Sequence, residues 1–171
     1  MPNHNPSLLP GIQEIFRNNG WIFAPVPGAP VIESGFEAHH GRIMVHVQAY
    51  DSIGAISVVA VSPTLIPSRG GRNKIAELLM RANERINLGG FELRLTQGEV
   101  LFRIGNVFSG GTLDPEVVSL LVEIAIVEMD RIAPCLAIVA SARSSELLLL
   151  DPEELLSRED LVPAVEPPVT E

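Results

Sequence analysis

The block from about Arg72 to Ile132 constrains the fold of this chain most tightly. Two amphipathic segments there flank a pair of alternating strands, Phe91 to Thr96 and Glu99 to Gly105. In the first segment Ile75, Leu78, Leu79, Ala82 and Ile86 recur at three- and four-residue spacing, the mark of a helix with one buried face. Glu77 and Arg81 add a favourable pair one turn apart on the other face. Gly89-Gly90 ends that helix. In the hairpin Phe91, Leu93 and Leu95 point one way, and Glu92, Arg94 and Thr96 the other. Gln97-Gly98 makes the turn, and Val100, Phe102 and Ile104 form one face of the return strand. The second long helix starts with Asp114 as N-cap, Pro115 in the first turn and Glu116 at the positive helix end. It runs to about Ile132, is bent or restarted at Pro134, and continues to about Ala142.

The N-terminal half supplies the remaining elements. A first helix is expected over Ser7 to Asn19, with Ile12, Ile15 and Phe16 on one face and Gly20 as its stop. Pro25, Pro27, Gly28 and Pro30 make Ala24 to Val31 an extended linker. Three strands follow: Ile32 to His39, Arg42 to Tyr50, and Ala55 to Ser62. The third is apolar on both faces apart from Ser57 and Ser62, so it reads as central; Pro63 and Pro67 end it. The fold class is α+β, a twisted antiparallel sheet of about five strands in the order α-βββ-α-ββ-α. Residues 1–6 read as a frayed terminus, 7–143 as the domain, and 144–171 as an acidic, partly disordered tail. Within that tail Glu146 to Leu156 is expected to form one or two helical turns, with Leu147 to Leu150 resting on the body.

Charge narrows the function classes. The formal net charge is −9, and the segment from Glu146 to Glu171 holds eight acids against one base, Arg158. The body is close to neutral. Nucleic acid and anionic membrane surfaces are poor partners for a chain without a basic patch. No stretch reads as a membrane span of about 20 apolar residues. Met1 to Ile12 lacks the pattern of a signal peptide, and a cytoplasmic protein is expected. Cys135, the one cysteine, lies in an apolar run and reads as a small buried hydrophobe.

Chemistry-bearing patterns are sparse. His39 and His40 are strand neighbours facing opposite sides, so they do not share a metal easily. His46 approaches His39 across the hairpin without a carboxylate or thiol to complete a set. No Gly-x-Ser-x-Gly stretch occurs, and Ser109-Gly110-Gly111-Thr112 reads as a plain loop. Glu123 and Asp130 read as a solvated helix stripe. No flavin, nicotinamide or haem signature is present, so no catalytic residue, metal or cofactor is expected. The one candidate anion site is Arg69, Gly70, Gly71 and Arg72, where backbone N–H groups at a helix start and two guanidinium groups converge. It lacks the Gly-Lys-Ser/Thr ending of a P-loop.

The last long helix carries an unusual apolar arc. Val117, Val118, Leu121, Val122, Ile124, Ala125, Ile126, Met129 and Ile132 cover roughly 200°, against about 100° for an ordinary surface helix. One sheet is not expected to cover so wide an arc. Either the tail folds over it or a second subunit does, and a homodimer through Val118, Leu121, Val122, Ala125, Ile126 and Met129 is the favoured solution.

The stretches Ala82-Asn83-Glu84-Arg85-Ile86-Asn87-Leu88-Gly89-Gly90-Phe91-Glu92-Leu93, Gly98-Glu99-Val100-Leu101-Phe102-Arg103 and Thr112-Leu113-Asp114-Pro115-Glu116 resemble the bacterial YbjN family. Ile126 to Pro134, with Asp130, Ala133 and Pro134, is similar to that family's closing helix, and cyanobacterial members are the nearest in character. The resemblance spans about residues 10 to 140. It implies a fold like that of type III secretion chaperones, usually dimeric, which hold extended client segments without ATP. YbjN members are labelled sensory transduction regulators, and the resemblance brings no catalytic residue. The expected function is a non-catalytic, chaperone-like or regulatory homodimer that binds a protein or peptide client. The alternative is a small-molecule or anion-binding sensor, or an enzyme, using the loop before the second helix.

Overall fold

The computed structural model describes residues 7–163. Its elements are α1 (Leu9–Asn18), β1 (Ala24–Pro25), β2 (Val31–Ala38), β3 (Gly41–Tyr50), β4 (Ala55–Leu65), α2 (Arg69–Asn83), β5 (Gly90–Arg94), β6 (Glu99–Val107), α3 (Pro115–Ser141), α4 (Ser144–Leu147) and α5 (Pro152–Ser157). The strands form one antiparallel sheet in the order β1-β2-β3-β4-β6-β5. The α+β class is as expected. The expected count of about five strands becomes six, because Ala24 and Pro25 in the presumed linker pair with Glu33 and Ile32.

The inner face of the sheet carries Ile32, Val45, Val47, Ile56, Val58, Ala60, Val100, Phe102 and Ile104, all buried. α3 crosses this face, touching β2, β3, β4 and β6; α1 covers β3 and α2 covers β5. Phe16, Trp21, Phe23 and Phe36 close one corner with edge-to-face rings 5.0–5.8 Å apart.

Two strand ends differ from expectation. β4 runs through Pro63 to Leu65, with a register shift against β6 between Val61 and Leu65. A bulge leaves residues outside the ladder, so the N–H that proline lacks is not needed there. The Thr64 N–H donates instead to Ser62 Oγ at 3.0 Å. β5 ends at Arg94, so Leu95 belongs to the turn and is exposed rather than facing the core with Phe91 and Leu93. Gly98 closes this turn at φ 74°, and a Cβ there would lie 2.1 Å from the Ile66 carbonyl oxygen. Only glycine fits.

The expected boundary at 143 is not a boundary of the core. α4 and α5 pack on α2, and Leu147, Leu155 and Leu156 are buried with the domain. Leu148 and Leu149, expected to rest on the body, are exposed. Glu153 holds α5 in place, paired with Arg85 at 2.5 Å and Arg81 at 3.6 Å. Arg85 also donates to the Leu156 carbonyl at 3.0 Å, and Arg131 to that of Pro163 at 3.1 Å. Leu161 and Val162, in the tail expected to be partly disordered, are half-buried against the core. The expected frayed segment 1–6 and the last residues of the tail lie outside the described residues.

Candidate protein-binding surfaces

The α3 residues expected to form a dimer face belong to the core. Val118, Leu121, Val122, Ala125 and Met129 are buried within the single chain, and Ile126 is half-buried. Sheet, α1, α2 and the folded tail together close the arc, so a second subunit is not required to cover it. Glu128, inside the arc, pairs with Arg131 at 3.0 Å. Cys135 lies beneath the tail with Sγ 3.8 Å from the Leu155 carbonyl oxygen, and burial pushes its thiol up to about 11.

The candidate anion loop has a different task. Ser68 caps α2 by accepting from the Gly71 N–H at 2.9 Å. Arg72 turns away from the helix start and donates to the carbonyls of Ile66, Leu95 and Thr96 at 2.8–3.0 Å, tying the β5–β6 turn to the end of β4. Gly70 lies under the tail residue Leu147, and Gly71 is buried. Arg69 alone retains an exposed side chain, so the two guanidinium groups do not converge.

Among the described residues, no group of three or more His, Cys, Asp or Glu side chains is placed to hold a metal ion. His39 and His40 stack edge to face, 4.6 Å between ring centres. His46 pairs with Glu33 at 3.7 Å. Asp130, expected to be a solvated residue, accepts from the His40 backbone N–H at 2.7 Å. Among the described residues, no helix is long and apolar enough to cross a membrane.

A cleft of about 290 Å³ lies between α2, α3 and the tail. Its lining combines Ile86, Phe91, Ile132 and Leu156 with the charged Arg85 and Arg131. Both guanidinium groups already serve partners in the chain.

The outer face of the sheet was missed by sequence reasoning. Register places Met44, Val59 and Val61 here, half-buried and outside the core cluster, with Leu101 on the same side but already buried within the chain. The bulge in β4 brings Leu65 opposite Glu99 and so to the same side. Leu65, Val107 and Tyr50 are exposed. Charged residues ring this apolar centre as pairs: Glu37 with Arg42 at 3.1 Å, Arg94 with Glu99 at 2.7 Å, and Glu92 with Arg103 at 2.7 Å. The Arg103 guanidinium lowers the carboxyl of Glu92, chiefly through their hydrogen bond. An apolar centre with a polar rim is the anatomy of a protein interface. The alternation of β4 could have revealed it, since its two faces are apolar while the domain supplies helices for one.

Both sheet edges are partly covered. The β1 edge is two residues long and ends in proline. At the β5 edge the Asn83 amide acts as a neighbouring strand would: Oδ1 accepts from the Phe91 N–H at 2.7 Å, and Nδ2 donates to the Phe91 carbonyl at 3.1 Å. The broader surface the sheet offers another protein is its face.

No family model matches the chain, and no curated protein matches it. The likeness to the YbjN family rests on the residues quoted above.

Proposed function

We propose that this chain is a non-catalytic protein-binding module of YbjN type, working as a chaperone-like or regulatory homodimer. The observation that carries this proposal is the outer sheet face, apolar at Met44, Val59, Val61 and Leu65 and ringed by Glu37, Arg42, Glu92, Arg94, Glu99 and Arg103. The partial cover of both edges, by β1 and by Asn83, favours this face as the route by which another chain is bound. Arg72 and the Gly71 N–H, two of the groups behind an anion-dependent sensor or enzyme, are committed to structural bonds, which weakens that alternative.

Two measurements on the full chain test the proposal together. Light scattering across concentration reads self-association, and selection from a displayed random-peptide library reads binding of other chains. Self-association or peptide capture that Val61→Glu abolishes, with an unchanged circular dichroism spectrum, supports it. A chain that stays monomeric and enriches no Val61-dependent peptide overturns it.

A further inference from the structure

We infer that the occupant of the outer face is a second copy of this chain, packed face to face about a two-fold axis running along β4. This deepens the proposed function and rests on its assignment of the outer face as the binding surface. The inference comes from the order of charges across the sheet.

At the level of the Glu37–Arg42 pair, the outer-face residues read Glu37 on β2, Arg42 on β3, the bulge of β4, Glu99 on β6 and Arg94 on β5. The signs run negative, positive, apolar, negative, positive. A two-fold axis along β4 reverses strand order and keeps the level. Glu37 then lies over the partner subunit's Arg94, and Arg42 over the partner subunit's Glu99. Every charge at this level meets its opposite, twice per dimer. One level along, Val61 lies over the partner's Val61, and Met44 over the position of the partner's Leu101, which its own chain already buries. The least favourable contact is His46 over the partner's Arg103, at the next level.

The other two-fold that brings these faces together runs across the strands. It keeps strand order and reverses level. Centred on Val59, it sets Glu33 on the partner's Glu33 and Arg103 on the partner's Arg103. Moved one level along, it sets Glu37 on the partner's Glu33 and Glu92 on the partner's Glu92, against one attractive contact of Glu99 with the partner's Arg103. Like charges facing each other select against both seats. Packed sheets lie about 10 Å apart and turn by roughly 30°, and the long Arg and Glu side chains span the offset this creates at the rim.

Charge reversal tests the seat. Within one chain Glu37 and Arg94 are four strands apart, roughly 19 Å at the usual strand spacing. Coupling between them must therefore pass through another molecule. Both side chains are largely exposed, so reversal spares the fold; circular dichroism checks this. Glu37→Arg alone, or Arg94→Glu alone, should raise the dimer dissociation constant by about tenfold. The double variant should restore it. Mixing the two single variants should give heterodimer in preference to either homodimer by native mass spectrometry, because both contacts then join opposite charges. A dimer in which the double variant is as weak as the singles overturns the inference, as does one indifferent to all of them. A monomeric wild-type chain also overturns it; Val61-dependent peptide capture would then keep the outer face as a protein-binding surface, without the homodimer.

Discussion

His40 Nδ1 lies 3.0 Å from the carbonyl oxygen of Asp130. In a regular helix that oxygen would accept from the N–H four residues on, and residue 134 is proline, which has none. A carbonyl only accepts, so the ring nitrogen facing it carries the proton. The imidazole thus supplies the donor that Pro134 withholds, and the His40 backbone N–H binds the Asp130 carboxylate on the same residue. The β2–β3 turn is pinned to α3, and α3 continues through Pro134 to Ser141 as one helix.

This relationship predicts a coupled pair. His40→Ala should cost about 1–2 kcal/mol by leaving a carbonyl unpaired. In a Pro134→Ala background, where the helical donor returns, the same change should cost less. A denaturant-unfolding cycle measures the difference. Equal costs in both backgrounds would refute the pairing.

The edge cap at Asn83 makes a second prediction. Asn83→Ala strips two hydrogen bonds from Phe91 and should destabilise the chain by about 1–3 kcal/mol. It also opens a strand edge, so aggregation on mild heating should rise more than it does for a core variant of matched stability. Light scattering during thermal unfolding distinguishes the two.

The tail predicts the behaviour of Cys135. Its thiol is held neutral by burial beneath α5, so the native chain should react slowly with a thiol reagent at pH 8. Glu153→Ala or Arg85→Ala loosens α5 and should speed labelling several-fold while far-UV circular dichroism stays the same. The sign of the pH effect follows. The folded thiol titrates above the unfolded one, so its contribution is complete below the unfolded value and lost as pH rises towards about 11. Labelling at wild-type rate in both variants would contradict the docking of the tail.

Arg72 predicts the fate of the anion alternative. Arg72→Ala frees three carbonyls and should lower stability by about 2–3 kcal/mol. Added sulfate should raise the melting temperature of wild type and variant equally, by general salt exclusion. Sulfate stabilisation lost with Arg72 would restore the anion site.

Much of the fold was legible because single residues carry strong local signals. Asp114, Pro115 and Glu116 mark the start of α3, and Asp114 does accept from the N–H groups of Glu116 and Val117. Period-two alternation located β5 and β6, and Glu77 pairs with Arg81 at 3.1 Å as spacing suggests. The misses have long-range causes. Pro63 reads locally as a stop, because a bulge depends on the partner strand and not on the local sequence. The closure of α3 by its own tail is hard to read in the sequence because Glu153, a surface acid by position, finds Arg81 and Arg85 only after folding. Asp130 looked solvated because its partner, His40, is ninety residues away. The outer face stayed hidden because registry, not composition, gathers Met44, Val61 and Leu101.

Hydroxyl-radical footprinting of the full chain over a range of concentrations tests most directly whether another chain docks on the outer face. Met44 sits on that face, Met80 is exposed on α2, and Met129 is buried on the core side of α3. Oxidation of Met44 should fall as concentration rises, while Met80 stays reactive and Met129 stays protected. A Met44 that oxidises at one constant rate across the range would contradict the account.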